Sequence, residues 1–243
     1  MTKPEKERLD QWLVDNGHFE SRAKAQAAIM EGLILVNGKP PRGAAAPISE
    51  KTNVEVIKPL HQYVGRGGLK LEKAIEDLNI IVAQKICLDV GASTGGFTDC
   101  LLQNGAIKVY AVDVGYGQLD WKLRKDSRVV VIERTNIRYL QPQKLYEGSH
   151  PNAQLAVIDV SFISLSKVFP AVKELLVKNG EIVALIKPQF EAGRGEVQKG
   201  GLIKDPDVHE RVIVQVAREA AKIGLNPFGL TYSPISGADG NLE

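Results

Sequence analysis

Apolar positions along this chain fall into two regimes. From Arg8 to Asn16, Leu9, Trp12 and Leu13 recur at helical spacing, and Gly17 ends the run. Ser21 is a favourable N-cap for a second helix, Arg22 to Glu31, with Gly32 at its C-terminal end. Leu33 to Val36 then reads as a strand, Asn37-Gly38 as a tight turn, Pro40 to Pro47 as a loop, and Val54 to Ile57 as another strand. Past the glycine-rich stretch Gly65-Arg66-Gly67-Gly68 the pattern changes to alternating strands and helices. Ile86–Val90, Lys108–Val112, Arg128–Ile132, Gln154–Asp159 and Ile182–Ile186 are strand-like. Between and after them, Phe97–Asn104, Leu119–Lys125, the stripe from Leu165 to Leu176, and the run from Asp205-Pro206 to Gly224 are helical. Strict alternation predicts a doubly wound, mostly parallel α/β sheet behind a small N-terminal α+β module. The expected boundaries are residues 1–59 for the module, 60–68 for a linker and 69–243 for the α/β domain.

Composition narrows the class of protein more than its function. Hydrophobic residues are 44% and charged residues 25% of the 243, which excludes fibrous and disordered classes. No apolar run approaches the roughly 18 residues that span a bilayer, and the first seven residues lack the apolar segment of a secretory leader. A cytoplasmic location is the expectation, with Cys87 and Cys100 as buried, reduced thiols. Net charge is +2 and is balanced in both regions, so any nucleic-acid surface must come from local clustering.

The densest signal is Leu88-Asp89-Val90-Gly91-Ala92-Ser93-Thr94-Gly95-Gly96-Phe97, which leaves a strand and opens a helix. Glycines there let the backbone turn sharply and approach a ligand. Asp113 ends the next strand, where open α/β sheets place a carboxylate for ribose hydroxyls. The spacing is not that of a nicotinamide dinucleotide fingerprint, and no phosphate-binding lysine follows the glycines. Two further strand ends carry chemistry: Asp159 in Asp159-Val160-Ser161-Phe162, and Lys187 in Lys187-Pro188-Gln189-Phe190. Burial lowers a lysine's pKa from about 10.4 and a neighbouring carboxylate opposes it, so a lysine between the two influences is suited to taking a proton from an alcohol. Taken alone, the pair reads more readily as a solvated strand-end lysine beside a solvated aspartate.

The glycine loop, Asp159-Val160-Ser161-Phe162-Ile163-Ser164 and Lys187-Pro188-Gln189-Phe190-Glu191 together closely resemble the TlyA family of hemolysin-A-like proteins. Tyr63 to Leu71, Gly200 to Pro206 and Ser233 to Gly237 match in the same order. The resemblance implies a Rossmann-like, S-adenosylmethionine-dependent methyltransferase similar to the FtsJ/RrmJ enzymes, acting on ribose 2′-hydroxyls of ribosomal RNA. It places a Lys-Asp-Lys-Glu tetrad on Lys70, Asp159, Lys187 and Glu243, with Lys187 nearest the hydroxyl. It assigns the cofactor to Asp89, Gly91, Ser93, Gly95, Gly96, Phe97 and Asp113. The family continues through a final strand beyond the Gly240-Asn241-Leu242-Glu243 segment.

The N-terminal region resembles the S-four-type RNA-binding domain of the small ribosomal subunit, through Arg8-Leu9-Asp10, Ser21 to Ala25, Gly32 and Val36 to Lys39. The resemblance implies a phosphate-facing surface of Arg8, Arg22, Lys24, Lys39 and Arg42, extended by Arg66 and the Trp121 to Lys125 helix, with ribosomal RNA or a ribosomal subunit as partner. Trp121 itself is expected in the core. The four histidines lack metal-ligand spacing, so no metal site is expected, and Ser161 lacks the glycine elbow of a hydrolase. Two other readings remain: a membrane-active cytolysin, and an RNA-binding protein whose methyltransferase fold is inactive.

Overall fold

The computed structural model describes residues 7–30, 32–49, 52–57, 62–146, 152–193, 195–198, 200–237 and 240–243. Residues 1–6, read above for a leader, and residues 58–61, which include the first two residues of the expected linker, lie outside the described residues.

The N-terminal module comprises β1 (Glu7–Arg8), α1 (Leu9–Asp15), α2 (Arg22–Met30), β2 (Ile34–Val36), β3 (Pro47–Ile48) and β4 (Val54–Val56). Leu9 and Leu13 from α1 meet Ala25, Ala28 and Ile29 from α2, and Ile34 and Ile48 close this core. Asn37 and Gly38 both adopt positive φ, as an Asn-Gly turn requires. β2 pairs antiparallel with β4 as the pattern predicts. The β1–β3 pair is an addition, two residues per strand and too short to show alternation in sequence.

The α/β domain runs α3 (Gly67–Asp77), β5 (Ile86–Val90), α4 (Gly96–Gln103), β6 (Lys108–Val112), α5 (Trp121–Arg124), β7 (Val129–Ile132), α6 (Pro142–Leu145), β8 (Ala153–Ile158), α7 (Phe169–Glu174), β9 (Leu176–Ala184), α8 (Pro188–Glu191) and α9 (Pro206–Lys222). The five strands form one parallel sheet in the order β7-β6-β5-β8-β9. The chain winds outward from β5 through β6 and β7, then returns to the other side of β5 for β8 and β9. The carboxyl ends of β5 and β8 therefore flank the switch point where such sheets bind ligands.

Side chains alternate across this sheet as period-2 geometry demands. Leu88, Val90, Tyr110, Val112, Ala156 and Ile158 face a core closed by α7 and α9. Cys87, Val109, Ala111, Leu155 and Val157 face the opposite core, closed by Leu71 of α3, Phe97 and Leu101 of α4, and Leu123 of α5. The apolar stripe of α9, Val208, Val212, Val216 and Ala220, is buried in the first of these cores. Both cysteines are free and buried, and burial pushes each thiol up to about 12. Among the described residues no helix is long and apolar enough to cross a membrane.

Several details depart from the sequence pattern. The stripe from Leu165 to Leu176 is not one helix: a 3-10 turn over Leu165–Lys167 precedes α7, and Leu176 already belongs to β9. α3 begins inside the expected linker, at Gly67. Gly68 serves close packing there: a Cβ would stand 2.3 Å from the Tyr63 ring, whose hydroxyl donates to Glu72 at 2.6 Å. Trp121 is not in the core but 64% exposed, with the Lys125 ammonium 4.6 Å above its ring. α5 is a single turn, and Leu119 and Leu123 fill the space instead. β9 starts at Leu176, six residues earlier than expected, because the polar Lys178-Asn179-Gly180-Glu181 stretch crosses a register irregularity in its pairing with β8.

Gly68→Ala is expected to destabilise the protein by about 1–3 kcal/mol through overpacking against the pinned Tyr63 ring. Gly195→Ala, where a Cβ meets nothing within 4 Å, is expected to stay within about 0.5 kcal/mol of wild type. Urea unfolding of the two variants checks the contrast; equal stabilities would refute the packing role.

Candidate active site

The glycine turn sits directly on the switch point. Gly91 continues β5 with φ +88°, and a Cβ there would stand 2.3 Å from the Asp159 carbonyl oxygen, so only glycine lets the two strand ends close together. The amide of Asp159 in turn donates to the Val90 carbonyl at 2.9 Å. Gly95 caps α4, and Gly96 packs its Cα against the backbone of Gly65 to Gly68, which brings the start of α3 to the start of α4. Phe97 is buried with its ring edge within reach of Gly67. Asp113, at the end of β6, accepts the Ser93 amide at 2.8 Å and the Gly115 amide at 2.6 Å. This expected ribose ligand thus also fixes the glycine turn to its neighbouring strand.

Asp89 lies beneath the turn and is fully buried. One carboxylate oxygen accepts the Thr98 hydroxyl at 2.6 Å, while the other is without a hydrogen-bond partner. Burial pushes this carboxyl up to about 7; the Thr98 bond opposes the rise, and the negative charges of Asp159 and Asp113 add to it. Three carboxylates therefore act on one another around a tight glycine turn, and one buried oxygen is orphaned. That donor set fits a small ligand carrying positive charge, as the sulfonium and ammonium groups of S-adenosylmethionine do.

The resemblance-derived tetrad assembles as two lysine–carboxylate pairs. Lys187 Nζ lies 2.5 Å from Asp159 Oδ1, an ion contact off the line of a hydrogen bond, and donates to Ser161 Oγ at 3.0 Å. Lys70, in the first turns of α3, pairs with Glu243, and both side chains are almost wholly buried. The motifs at Gly200 and Ser233 explain how Glu243 is held. Asn241 is fully buried, accepts the Ile203 amide and donates to the Gly201 carbonyl, each at 2.8 Å. Ser233 donates its amide to the Glu243 carbonyl at 2.8 Å, and a Cβ at Gly237 would collide with the Glu243 carboxylate.

In the N-terminal module a buried acid organises the arginines. Asp10 takes a two-pronged bond from Arg8, both prongs 2.9 Å, one from Arg22 at 3.0 Å and one from Gln26 at 2.7 Å. The Arg8 bond, reinforced by Gln26 and Arg22 against the penalty of burial, holds the Asp10 carboxyl well below the usual range. Arg8 and Arg22 remain half-exposed and fixed side by side. Lys24 pairs with exposed Glu20, while Lys39 and Arg42 lie at the surface around the turn. Arg66 packs on Gly32 and donates to the Met30 carbonyl at 3.2 Å, so it bears on the end of α2.

Sequence reasoning missed Asp10, Thr98 and Ser161 as partners of these residues, since no spacing rule marks the Arg8–Asp10 contact and the other pairs are distant in the chain. It also missed the neighbourhood of Phe162, which is 86% exposed and rests 4.9 Å from the Phe190 ring. Together with Arg138, Lys167 and Gln189 these rings line an open hollow of about 510 Å³.

A family model described as FtsJ-like methyltransferase matches residues 63–243, and an S4 domain model matches residues 7–42. The chain is 44% identical to the 16S/23S rRNA (cytidine-2′-O)-methyltransferase TlyA of Mycobacterium tuberculosis, over 97% of this chain and 87% of that one. It is 47% identical to a protein named Hemolysin A from Brachyspira hyodysenteriae, over 97% of both. A solved structure from Streptococcus thermophilus, provisionally titled a hemolysin, superposes with a TM-score of 0.74 at 45% identity, covering 99% of this chain and 86% of that one.

The raised Asp89 carboxyl makes stability depend on pH. Below about pH 4 it is protonated in both folded and unfolded chains. Between there and about 7 the unfolded chain releases its proton first, so the ligand-free protein loses stability as pH rises, and above about 7 the loss is complete. Asp89→Asn is expected to flatten this slope and to gain on the order of 1–3 kcal/mol over wild type at pH 8. Urea unfolding at pH 5 and pH 8 checks this; identical pH dependence in both proteins would contradict it.

Proposed function

The chain belongs to the FtsJ-like methyltransferase family, and we propose that it methylates a ribose 2′-hydroxyl of ribosomal RNA, with S-adenosylmethionine as donor. The observation that carries this reading is the Lys187–Asp159 contact at the sheet's switch point, beside the glycine turn. The cofactor supplies a methyl group already activated on a sulfonium, so the protein's tasks are to position the acceptor oxygen and handle its proton. Lys187 is the amine that meets the hydroxyl and holds or removes that proton. Asp159 and Ser161 fix its orientation, and the Lys70–Glu243 pair positions the nucleotide from the α3 side. Asp89, Gly91, Ser93, Gly95, Gly96, Phe97 and Asp113 form the cofactor's seat; Asp89 acts through charge from below.

The N-terminal module recruits structured RNA. Arg8 and Arg22, clamped by Asp10, present two guanidinium groups suited to adjacent phosphates, and Lys24, Lys39, Arg42 and Arg66 extend the same surface. The methyltransferase name of the Mycobacterium tuberculosis relative supports ribosomal RNA as the acceptor class. The membrane-active reading has less support, because the amphipathic helix α9 already buries its apolar face in the core.

Lys187→Ala is expected to slow methyl transfer by roughly 10²–10⁴-fold with cofactor affinity near wild type. Turnover on ribosomal RNA and calorimetry with S-adenosylmethionine together test this; undiminished turnover would remove Lys187 from its role. Arg22→Gln is expected to weaken RNA binding and reduce its salt slope by about one phosphate contact. A titration across salt concentrations reads this directly, and an unchanged slope would take Arg22 off the RNA surface.

A further inference from the structure

Glu191 is a buried carboxylate with no part in the reaction as assigned above. It ends α8, four residues beyond Lys187. One oxygen accepts the Ser164 hydroxyl and the other the Leu165 amide, each at 2.7 Å. Burial pushes this carboxyl upward, and the two bonds oppose the rise. Both donors belong to the segment that follows Asp159. A second stitch joins the same two segments, from Lys187 Nζ to Ser161 Oγ at 3.0 Å.

Between the stitches lies Phe162, whose backbone is left-handed at φ +63°. An aromatic residue adopts this conformation only where its surroundings over-determine it. Glu191 on one side and Lys187 on the other supply that constraint, with the Phe190 ring against the Phe162 ring. Loss of Glu191 would leave the Leu165 amide without its buried acceptor, whereas Ser164 would keep its contact with Ser166 at 2.8 Å. The turn would then be free to relax and carry Ser161 away from the amine.

We propose that Glu191 is a positioning residue, which holds the strained turn from Ser161 to Ser164 against α8 and so keeps Ser161 and Asp159 on the Lys187 amine. Its bearing on catalysis rests on the assignment of Lys187 to the ribose hydroxyl. Its bearing on the amine does not, and the test separates the two.

Full-length wild type, Glu191→Ala, Glu191→Gln and Ser164→Ala are treated with a water-soluble amine-acetylating reagent, and labelling of each lysine is timed by peptide mass spectrometry. Lys187 should label several-fold faster in Glu191→Ala, by a smaller factor in Ser164→Ala, and near the wild-type rate in Glu191→Gln, whose amide can still accept the Leu165 N–H. Lys70, held elsewhere by Glu243, should label at the wild-type rate throughout. Turnover of Glu191→Ala should fall roughly 10- to 100-fold, as when the support of a reacting group is lost, with cofactor affinity unchanged. Unchanged Lys187 labelling in both Glu191→Ala and Ser164→Ala overturns the proposal, as does labelling of Lys70 and Lys187 rising together. If Glu191→Ala does not fold, Ser164→Ala against Glu191→Gln decides by the same criterion. Wild type that transfers no methyl to ribose would refute the reaction, while the labelling comparison would still decide the role of Glu191.

Discussion

An ammonium taken out of water needs a carboxylate in place before it arrives, because desolvating a lone charge costs several kcal/mol. At the lip of this sheet that requirement is met by strand register. β8 and β9 run parallel with Ile158 opposite Ala184, and the Leu185 amide still donates to Ile158. The chains diverge only after this point, so Asp159 and Lys187 leave neighbouring strands on the same edge and meet at 2.5 Å. The glycine at position 91 lets β5 end close enough for its turn to share that edge. The glycine turn and the Lys187 amine, proposed above as cofactor seat and reacting group, are thus adjacent because three parallel strands stop together.

The second lysine–carboxylate pair is built differently. Lys70 and Glu243 come from segments at opposite ends of the domain, and no strand register relates them. Their meeting depends on Gly68 and Gly96, which let α3 and α4 approach at their first turns, and on the buried Asn241, which anchors the segment carrying Glu243. In the N-terminal module a similar device recurs on a smaller scale, with Asp10 holding two arginines in fixed orientation. In each case an acid orients a cation; the two arginines stay half-exposed, whereas Lys70 is almost wholly buried.

Much of this was legible in the sequence wherever chemistry follows a local rule. β5 and β6 fall where alternating apolar runs predict, the Asn37-Gly38 turn has its expected positive φ values, and α9 starts behind its Asp205 cap. The proposed tetrad rests on family motifs and not on spacing, since Lys70 and Glu243 have no local relation. What stayed hidden depends on tertiary neighbours. Gly67 and Gly68 read as linker because glycine usually marks flexibility, yet here they open a helix against Tyr63. Trp121 reads as core because of its size, but a one-turn helix leaves it outside. Ser161 and Glu191 sat inside recognised motifs with no visible partner, because their partners belong to the other motif.

The proposed chemistry is convergence of the amine and the glycine turn on a ribose hydroxyl. Its most direct test is to incubate unmodified ribosomal RNA with the protein and methyl-labelled S-adenosylmethionine, digest the RNA to nucleosides, and locate the label by mass spectrometry. The expected result is label on the 2′-oxygen of ribose. Label on a nucleobase, or labelled cofactor bound with no methyl passed to RNA, would contradict it.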